Sequence, residues 1–160
     1  MDKAAESTGA SSEEDLQFMR LAVDQANLSE PVDTAYCVGA ILVQPTTGHI
    51  LSTGFSRELP GNTHAEECCF LKLSDSSLAH GATLYTTMEP CSLRLSGKRS
   101  CTDQILEMKV GRVVIGVREP PTFVNCEGVK ILTQKGIEVG FVGELEKECL
   151  WPNRHVLEKQ

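Results

Sequence analysis

Residues 37–43 read Cys37-Val38-Gly39-Ala40-Ile41-Leu42-Val43, a continuous apolar run. A short run of this kind is the mark of a strand covered on both faces. Immediately after it, Pro45-Thr46-Thr47-Gly48 carries turn chemistry, and Ile50 to Phe55 reads as the returning strand of a hairpin. On the other side, Asn27 to Thr34, with Pro31 and Asp33, is a loop. Ahead of that loop Leu16, Met19, Leu21 with Val23, and Ala26 recur at helical spacing and predict an amphipathic helix from Glu14 to about Asn27. Residues 1–13, rich in Ser, Ala, Glu and Gly, have nothing to bury and predict a flexible acidic tail ahead of one domain over 14–160.

Downstream of the hairpin lies a polar loop, Ser56 to Asn62, and then a helix from His64 to about Leu73. Ala82 to Met88 reads as a third strand, stopped by Glu89-Pro90. Next come a helix over Cys101 to Met108 and a buried strand over Val110 to Val117, before Pro120-Pro121 breaks the chain. Cys126 to Lys135 is helical and ends at Gly136, a favoured residue just past a helix. Ile137 to Val142 is a last strand, and Glu144 to about Leu157 a last helix interrupted near Pro152. The order α-β-β-α-β-α-β-α-β-α predicts a mixed five-stranded sheet between helices, a three-layer α-β-α sandwich of the α/β class.

Composition narrows the function. The chain has 160 residues, 41% hydrophobic and 23% charged, which is enough for a core and excludes wholesale disorder. No apolar run approaches the ~18 residues of a membrane span, and the acidic, polar start is no secretory signal. Fifteen Lys+Arg against 22 Asp+Glu leave a net charge of −7. That balance argues against tracking nucleic-acid phosphates, although one local basic pocket is compatible with it. Seven cysteines, an odd count with no export signal, fit a reduced cytoplasmic compartment with some thiols on metal better than a disulfide framework.

Chemistry concentrates in two short segments, each at or just before a predicted helix. One is Thr63-His64-Ala65-Glu66; the other is Glu89-Pro90-Cys91, followed after nine intervening residues by Cys101. A catalytic zinc needs three N/S donors around one point and an open position for water. His64 offers the nitrogen, and Cys91 with Cys101 the two thiolates, which helix starts stabilise. Glu66, two residues after His64, points elsewhere than the histidine and can approach a metal-activated water from the side as a proton shuttle. Other roles stand beside these. Thr63-x-x-Glu66 also has the form of a capping box, as does Ser100-x-x-Asp103 at the next helix. Histidines at helix starts are often structural, and thiols are common in cores.

With these residues in order, the sequence resembles the zinc-dependent deaminase superfamily, whose signature is His-x-Glu followed by Pro-Cys-x-x-Cys. The gap between the cysteines, widened here to nine residues and containing Gly97-Lys98, resembles the pyrimidine deaminase branch of riboflavin biosynthesis. Phe18-Met19-Arg20-Leu21-Ala22, Val38 to Val43, Gly111-Arg112-Val113-Val114, Glu119-Pro120-Pro121 and Gly128 to Leu132 agree with that branch, so the likeness runs over about 16–158. Ala35-Tyr36 departs from it, standing where bacterial members have Asn-Pro.

The resemblance implies a cytidine-deaminase-like sheet, zinc held by His64, Cys91 and Cys101, and Glu66 as the catalytic proton carrier. It implies hydrolytic deamination of a phosphorylated diamino-pyrimidinone. Bacterial members carry a fused reductase; a chain without one resembles the fungal arrangement, in which the ribityl form rather than the ribosyl form is the substrate. Homodimers or larger homo-oligomers are common among such proteins. Within this picture, Lys98, Arg99 and Arg94 in the cysteine-to-cysteine insertion, joined by Arg57, are candidates for the substrate's phosphate, and Asn62 for its pyrimidine edge. The backbone N–H groups of Ala65 and Cys91 are candidates for its polar atoms. Each basic residue is equally readable as part of a solvated loop. Two other readings remain: a deaminase of another base or nucleoside (cytidine, guanine or a tRNA adenosine), and a non-catalytic zinc-binding interaction module. Net acidity and the wide gap count against the first, and an intact Glu66 against the second. Of the remaining cysteines, Cys37, Cys68 and Cys69 read as core residues, while Cys126 and Cys149 are either buried or exposed. Trp151 reads as packing.

Overall fold

In the computed structural model, which describes residues 11–94, 97–120 and 126–158, the apolar run forms strand β1 (Gly39–Val43), buried at every residue. Burial on both faces has a direct cause. Ala40 and Leu42 point into one core, and Ile41 and Val43 into a second on the other side of the sheet. β1 pairs antiparallel with β2 (Ile50–Phe55) and with β3 (Thr83–Met88). β3, β4 (Arg112–Val117) and β5 (Glu138–Phe141) then run parallel, giving a five-stranded mixed sheet in the order β2-β1-β3-β4-β5.

Helices α2 (Ala65–Leu71), α3 (Cys101–Glu107) and α4 (Gly128–Gln134) cover the first face through Ala65, Cys69, Phe70, Ile105, Val129 and Leu132. Helices α1 (Glu13–Ala26), α5 (Glu146–Leu150) and α6 (Arg154–Leu157) cover the other through Met19, Ala22, Cys149 and Val156. This is the expected three-layer α-β-α sandwich.

Three local readings gain detail. On α1 the buried positions are Met19, Ala22 and Ala26, whereas Leu21 is exposed. The small residues win that face because α1 crosses β1 almost in backbone contact: a Cβ on Gly39 would lie 1.9 Å from the Ala22 carbonyl oxygen. Of residues 1–13, the segment 1–10 lies outside the described residues, and Ser12 caps α1 by accepting the Asp15 N–H. The last segment is broken at Trp151–Asn153, a short 3₁₀ turn containing Pro152, and the Trp151 ring is exposed beneath the Arg154 guanidinium, 4.0 Å from its centroid. Trp151 therefore packs at the surface, as the cation–π partner of Arg154.

At one end of the sheet, Asp15 of α1 joins a bidentate ion pair with Arg112 and accepts the Tyr85 hydroxyl proton at 2.6 Å. At the other end β3 and β4 finish side by side. The carboxyl ends of adjacent parallel strands are where α/β folds place their ligands, and the motif residues converge there.

Candidate active site

His64 enters the site because it is the residue from which α2 starts: its backbone is extended, and Ala65 begins the helix. Its Nδ1 lies 3.5 Å from Cys91 Sγ and 3.3 Å from Cys101 Sγ. Cys91 follows the end of β3, and Cys101 opens α3, where Ser100 Oγ caps the helix by accepting the Asp103 N–H. The three donor atoms all lie within 4.8 Å of one another. A tetrahedral centre with bonds of about 2.0–2.3 Å sets its donors roughly 3.5 Å apart, so this N, S, S set fits zinc in size and in chemistry.

Charge is prearranged as well. Hydrogen bonds donated by Cys101, from its thiol and its backbone N–H at 3.2 Å, together with one from His64, pull the Cys91 thiol down to about 5 against the effect of burial. The same pairing, with burial, pushes Cys101 up.

The turn bearing Cys91 is fixed on several sides. Its carbonyl accepts the Thr102 hydroxyl at 2.7 Å and the Thr102 N–H at 3.1 Å. Buried Glu89 accepts the backbone N–H groups of Glu119 at 3.2 Å and Val129 at 3.0 Å, tying the turn to the end of β4 and the start of α4. Gly128 closes over the Pro90 carbonyl so tightly that a Cβ there would sit 2.1 Å from the oxygen.

The capping question at α2 is settled by one residue of register. Glu67, not Glu66, accepts the His64 N–H, at 3.1 Å, while Thr63 Oγ1 turns back to the Leu59 backbone. Glu66 is thereby left to the cavity. It is buried, and the Thr86 hydroxyl of β3 lies 3.2 Å from its Oε2. Burial and then the neighbouring Cys91 charge raise its pKa.

The cavity beside the three donors is lined by Glu66, His64, Cys91, Met88, Asn62 and, from the far side of the chain, Glu119. The candidate basic residues divide. Arg94 is buried and ion-paired with Glu67 at 3.1 Å, and it also donates to the carbonyls of Asn62 and Arg99. Arg57 donates to the Tyr36 and Glu30 carbonyls and to Ser29 Oγ. Both line the cavity, and these terminal guanidinium groups are engaged by the protein itself, whereas the buried Arg94 Nε has no hydrogen-bond partner among the described residues. Lys98 Nζ donates to the Gly61 carbonyl, placing the insertion over the loop that leads to His64. Arg99 pairs with Glu107 on the surface. Asn62 is exposed with a left-handed backbone (φ 57°), a conformation that asparagine tolerates, and Ala65 is buried at the first helical position of α2.

Thr86 and Glu119 complete the set of polar groups that sequence reading did not select. Burial pushes Glu119 up to about 8, with Cys91, Glu89 and Glu66 adding to the effect. The folded chain then binds this proton more tightly than the unfolded chain, whose carboxyl titrates near 4.5. Its contribution to stability is complete below about pH 4.5 and is lost as pH rises towards 8. A Glu119→Gln protein is accordingly expected to melt close to the parent at pH 5 and above it at pH 8. The same difference in melting temperature at both pH values would remove Glu119 as the cause.

Sheet order, helices on both faces and a His/Cys/Cys cluster at the strand ends define a zinc-binding deaminase architecture. The family model described as the cytidine and deoxycytidylate deaminase zinc-binding region matches residues 12–117, and the chain belongs to that family. It is 49% identical over 137 residues to the diaminohydroxyphosphoribosylamino-pyrimidine deaminase of Schizosaccharomyces pombe, covering 84% of this chain and 33% of that one. It is 35% identical over 139 residues to the riboflavin biosynthesis protein RibD of Aquifex aeolicus, covering 84% and 36%. The chain thus spans about a third of the length of these curated relatives. Among solved structures, the Aspergillus oryzae Rib2 deaminase in complex with DARIPP superposes with a TM-score of 0.77 at 30% identity, covering 92% of this chain and 100% of that one. No described helix is long and apolar enough to cross a membrane, and all seven cysteines are free thiols.

Proposed function

We propose that the chain hydrolytically deaminates a diamino-pyrimidinone 5′-phosphate bearing a ribosylamino or ribitylamino group, with the ribityl form preferred, as a step of riboflavin biosynthesis. The observation that carries this reading is Glu66: buried, relieved of capping by Glu67, and facing the cavity beside His64, Cys91 and Cys101. The activity named for the fission-yeast relative, the riboflavin biosynthesis named for the Aquifex relative, and the DARIPP held by the Aspergillus enzyme support the substrate class. The ribityl preference rests on the likeness to the fungal arrangement.

His64 Nδ1, Cys91 Sγ and Cys101 Sγ would hold the zinc, which when bound supplies Lewis-acid activation of water at neutral pH. Glu66 moves the protons. Its carboxylate accepts one from the attacking water and delivers it to the ring nitrogen beside the amine-bearing carbon; it then takes the remaining proton of the hydroxyl added to that carbon and passes it to the departing amine as the C–N bond breaks. Water and amine thus become carbonyl and ammonia, and the carboxylate returns to its starting state. A raised pKa suits this work, because it makes the carboxylate a stronger base towards the water's proton. Thr86 holds the carboxylate oriented, and Glu119, carrying a proton in the folded chain below about pH 8, offers both donor and acceptor to the pyrimidine edge. Lys98 is the favoured phosphate contact because its Gly97-Lys98 pairing resembles the insertion of the riboflavin-branch deaminases.

Ammonia release measured with the ribosyl and ribityl diamino-pyrimidinone phosphates and with cytidine tests the reading. Turnover of the ribityl form above the ribosyl form is expected, with none of cytidine. Consumption of cytidine alone, or of no substrate by zinc-loaded protein, would overturn it.

A further inference from the structure

One wall of the cavity is the segment before β1, from which Thr34, Ala35, Tyr36 and Val38 face the site. Sheet pairing holds little of it. The β1–β2 register begins at Gly39, and Val38 is still secured by Ser56, whose N–H donates to its carbonyl and whose Oγ accepts its N–H. At Cys37 the neighbour is a side chain from the other end of the chain. Asn153 Oδ1 accepts the Cys37 N–H, and Asn153 Nδ2 donates to the Cys37 carbonyl at 3.0 Å.

A primary amide presents one acceptor and two donors, so Asn153 replaces one rung of a missing strand. It is completely buried, immediately before α6. Two positions on, His155 Nε2 lies 2.9 Å from the Val32 carbonyl and fastens the same segment further upstream. Arg57 secures the intervening Tyr36 carbonyl at 3.2 Å.

We propose that Asn153 is a positioning residue for substrate binding: by pairing with both backbone groups of Cys37 it holds the flanking Tyr36 and Val38 against the cavity. This rests on the cavity being the substrate site. Asn153 has no hydrogen bond to His64, Glu66, Cys91 or Cys101, so its effect falls on ground-state binding and spares the chemical step. A purely structural asparagine would lower the melting temperature and leave KM alone.

Asn153→Asp separates the two roles. It keeps the acceptor for the Cys37 N–H and replaces the donor with an oxygen facing the Cys37 carbonyl. Expected are an increase in KM of about tenfold, the scale of one lost buried hydrogen bond, a kcat within about threefold of the parent, retained zinc, and faster hydrogen exchange over 34–38 with β3 and β4 unchanged. An unchanged KM in this variant would overturn the proposal, as would a loss confined to kcat. Should Asn153→Asp fail to fold, His155→Ala cuts only the tie at Val32. It is expected to raise KM by about threefold and to speed exchange over 32–37, and no change in either would also overturn the proposal. Because exchange needs no substrate, it decides the fate of the wall even if the parent turns over no diamino-pyrimidinone, an outcome that would sink the function instead.

Discussion

Glu66→Gln protein is expected to keep its zinc and its melting temperature while kcat falls by about 10²–10⁴-fold, the usual worth of a positioned general acid–base group. The substitution preserves shape. Glutamine's carbonyl oxygen can still accept the Thr86 hydroxyl, and the side chain remains in the same buried slot. The start of α2 is undisturbed because Glu67 holds the His64 N–H and pairs with Arg94. The three candidate metal donors are untouched. What disappears is a group able to take a proton and give it back. Zinc content by elemental analysis, thermal unfolding and ammonia release form the necessary set of measurements. Full zinc with undiminished turnover would refute the role of Glu66 outright. Had Glu66 been the capping residue, the signature would be reversed: a lower melting temperature and a modest kinetic effect.

Cys101→Ser is expected to lose both metal and activity. Cys101 is completely buried at the first turn of α3, and its amide and thiol both donate to Cys91. A serine hydroxyl does not ionise near neutral pH and is a poor substitute for thiolate on zinc. Zinc should fall to near zero after dialysis, and ammonia release should fall to background. The melting temperature should approach that of chelator-treated parent. At a free zinc concentration a thousandfold above Kd, bound metal stabilises by about 4 kcal/mol. At roughly 2–4 °C per kcal/mol for a chain of this size, the gap is on the order of 10 °C. A serine protein that retained zinc through dialysis and melted with the parent would show that Cys101 is no ligand.

How far the sequence could be read depended on the distance over which each property is set. The 37–43 run was legible because burial on both faces leaves no polar position to alternate with. The His-Ala-Glu and Pro-Cys segments were legible because their chemistry lies in residue type and spacing. The register of the α2 cap was not. Thr63-x-x-Glu66 and His64-x-x-Glu67 differ by one residue, and only the turn of Thr63 towards Leu59 selects between them.

Charge could be counted in Arg57 and Arg94, but not the carbonyls that would absorb it. Those of Tyr36 and Asn62 lie 21 and 32 residues away in the chain. Glu119 and Thr86 became visible only when β3 and β4 were laid side by side. Asn153 reaches Cys37 across 116 residues, and no local pattern marks it. Leu21 and Ala22 exchanged roles because a larger side chain suits the core only where the neighbouring backbone stands back, and at Gly39 it does not.

The closure of Gly128 over Pro90 gives the candidate metal centre a history as well as a shape. His64, Cys91 and Cys101 all precede Gly128 in the chain, as they do the Glu119 and Val129 amides that bind Glu89. During synthesis at about 5–20 residues per second, Gly128 follows Cys101 by roughly 1–5 s. Throughout that interval every donor exists while the lid over the Pro90–Cys91 turn has yet to be translated. The candidate donors and the closure over them thus come from successive stretches of the chain, and a chain ending ahead of Gly128 would contain every donor yet lack what packs over the turn.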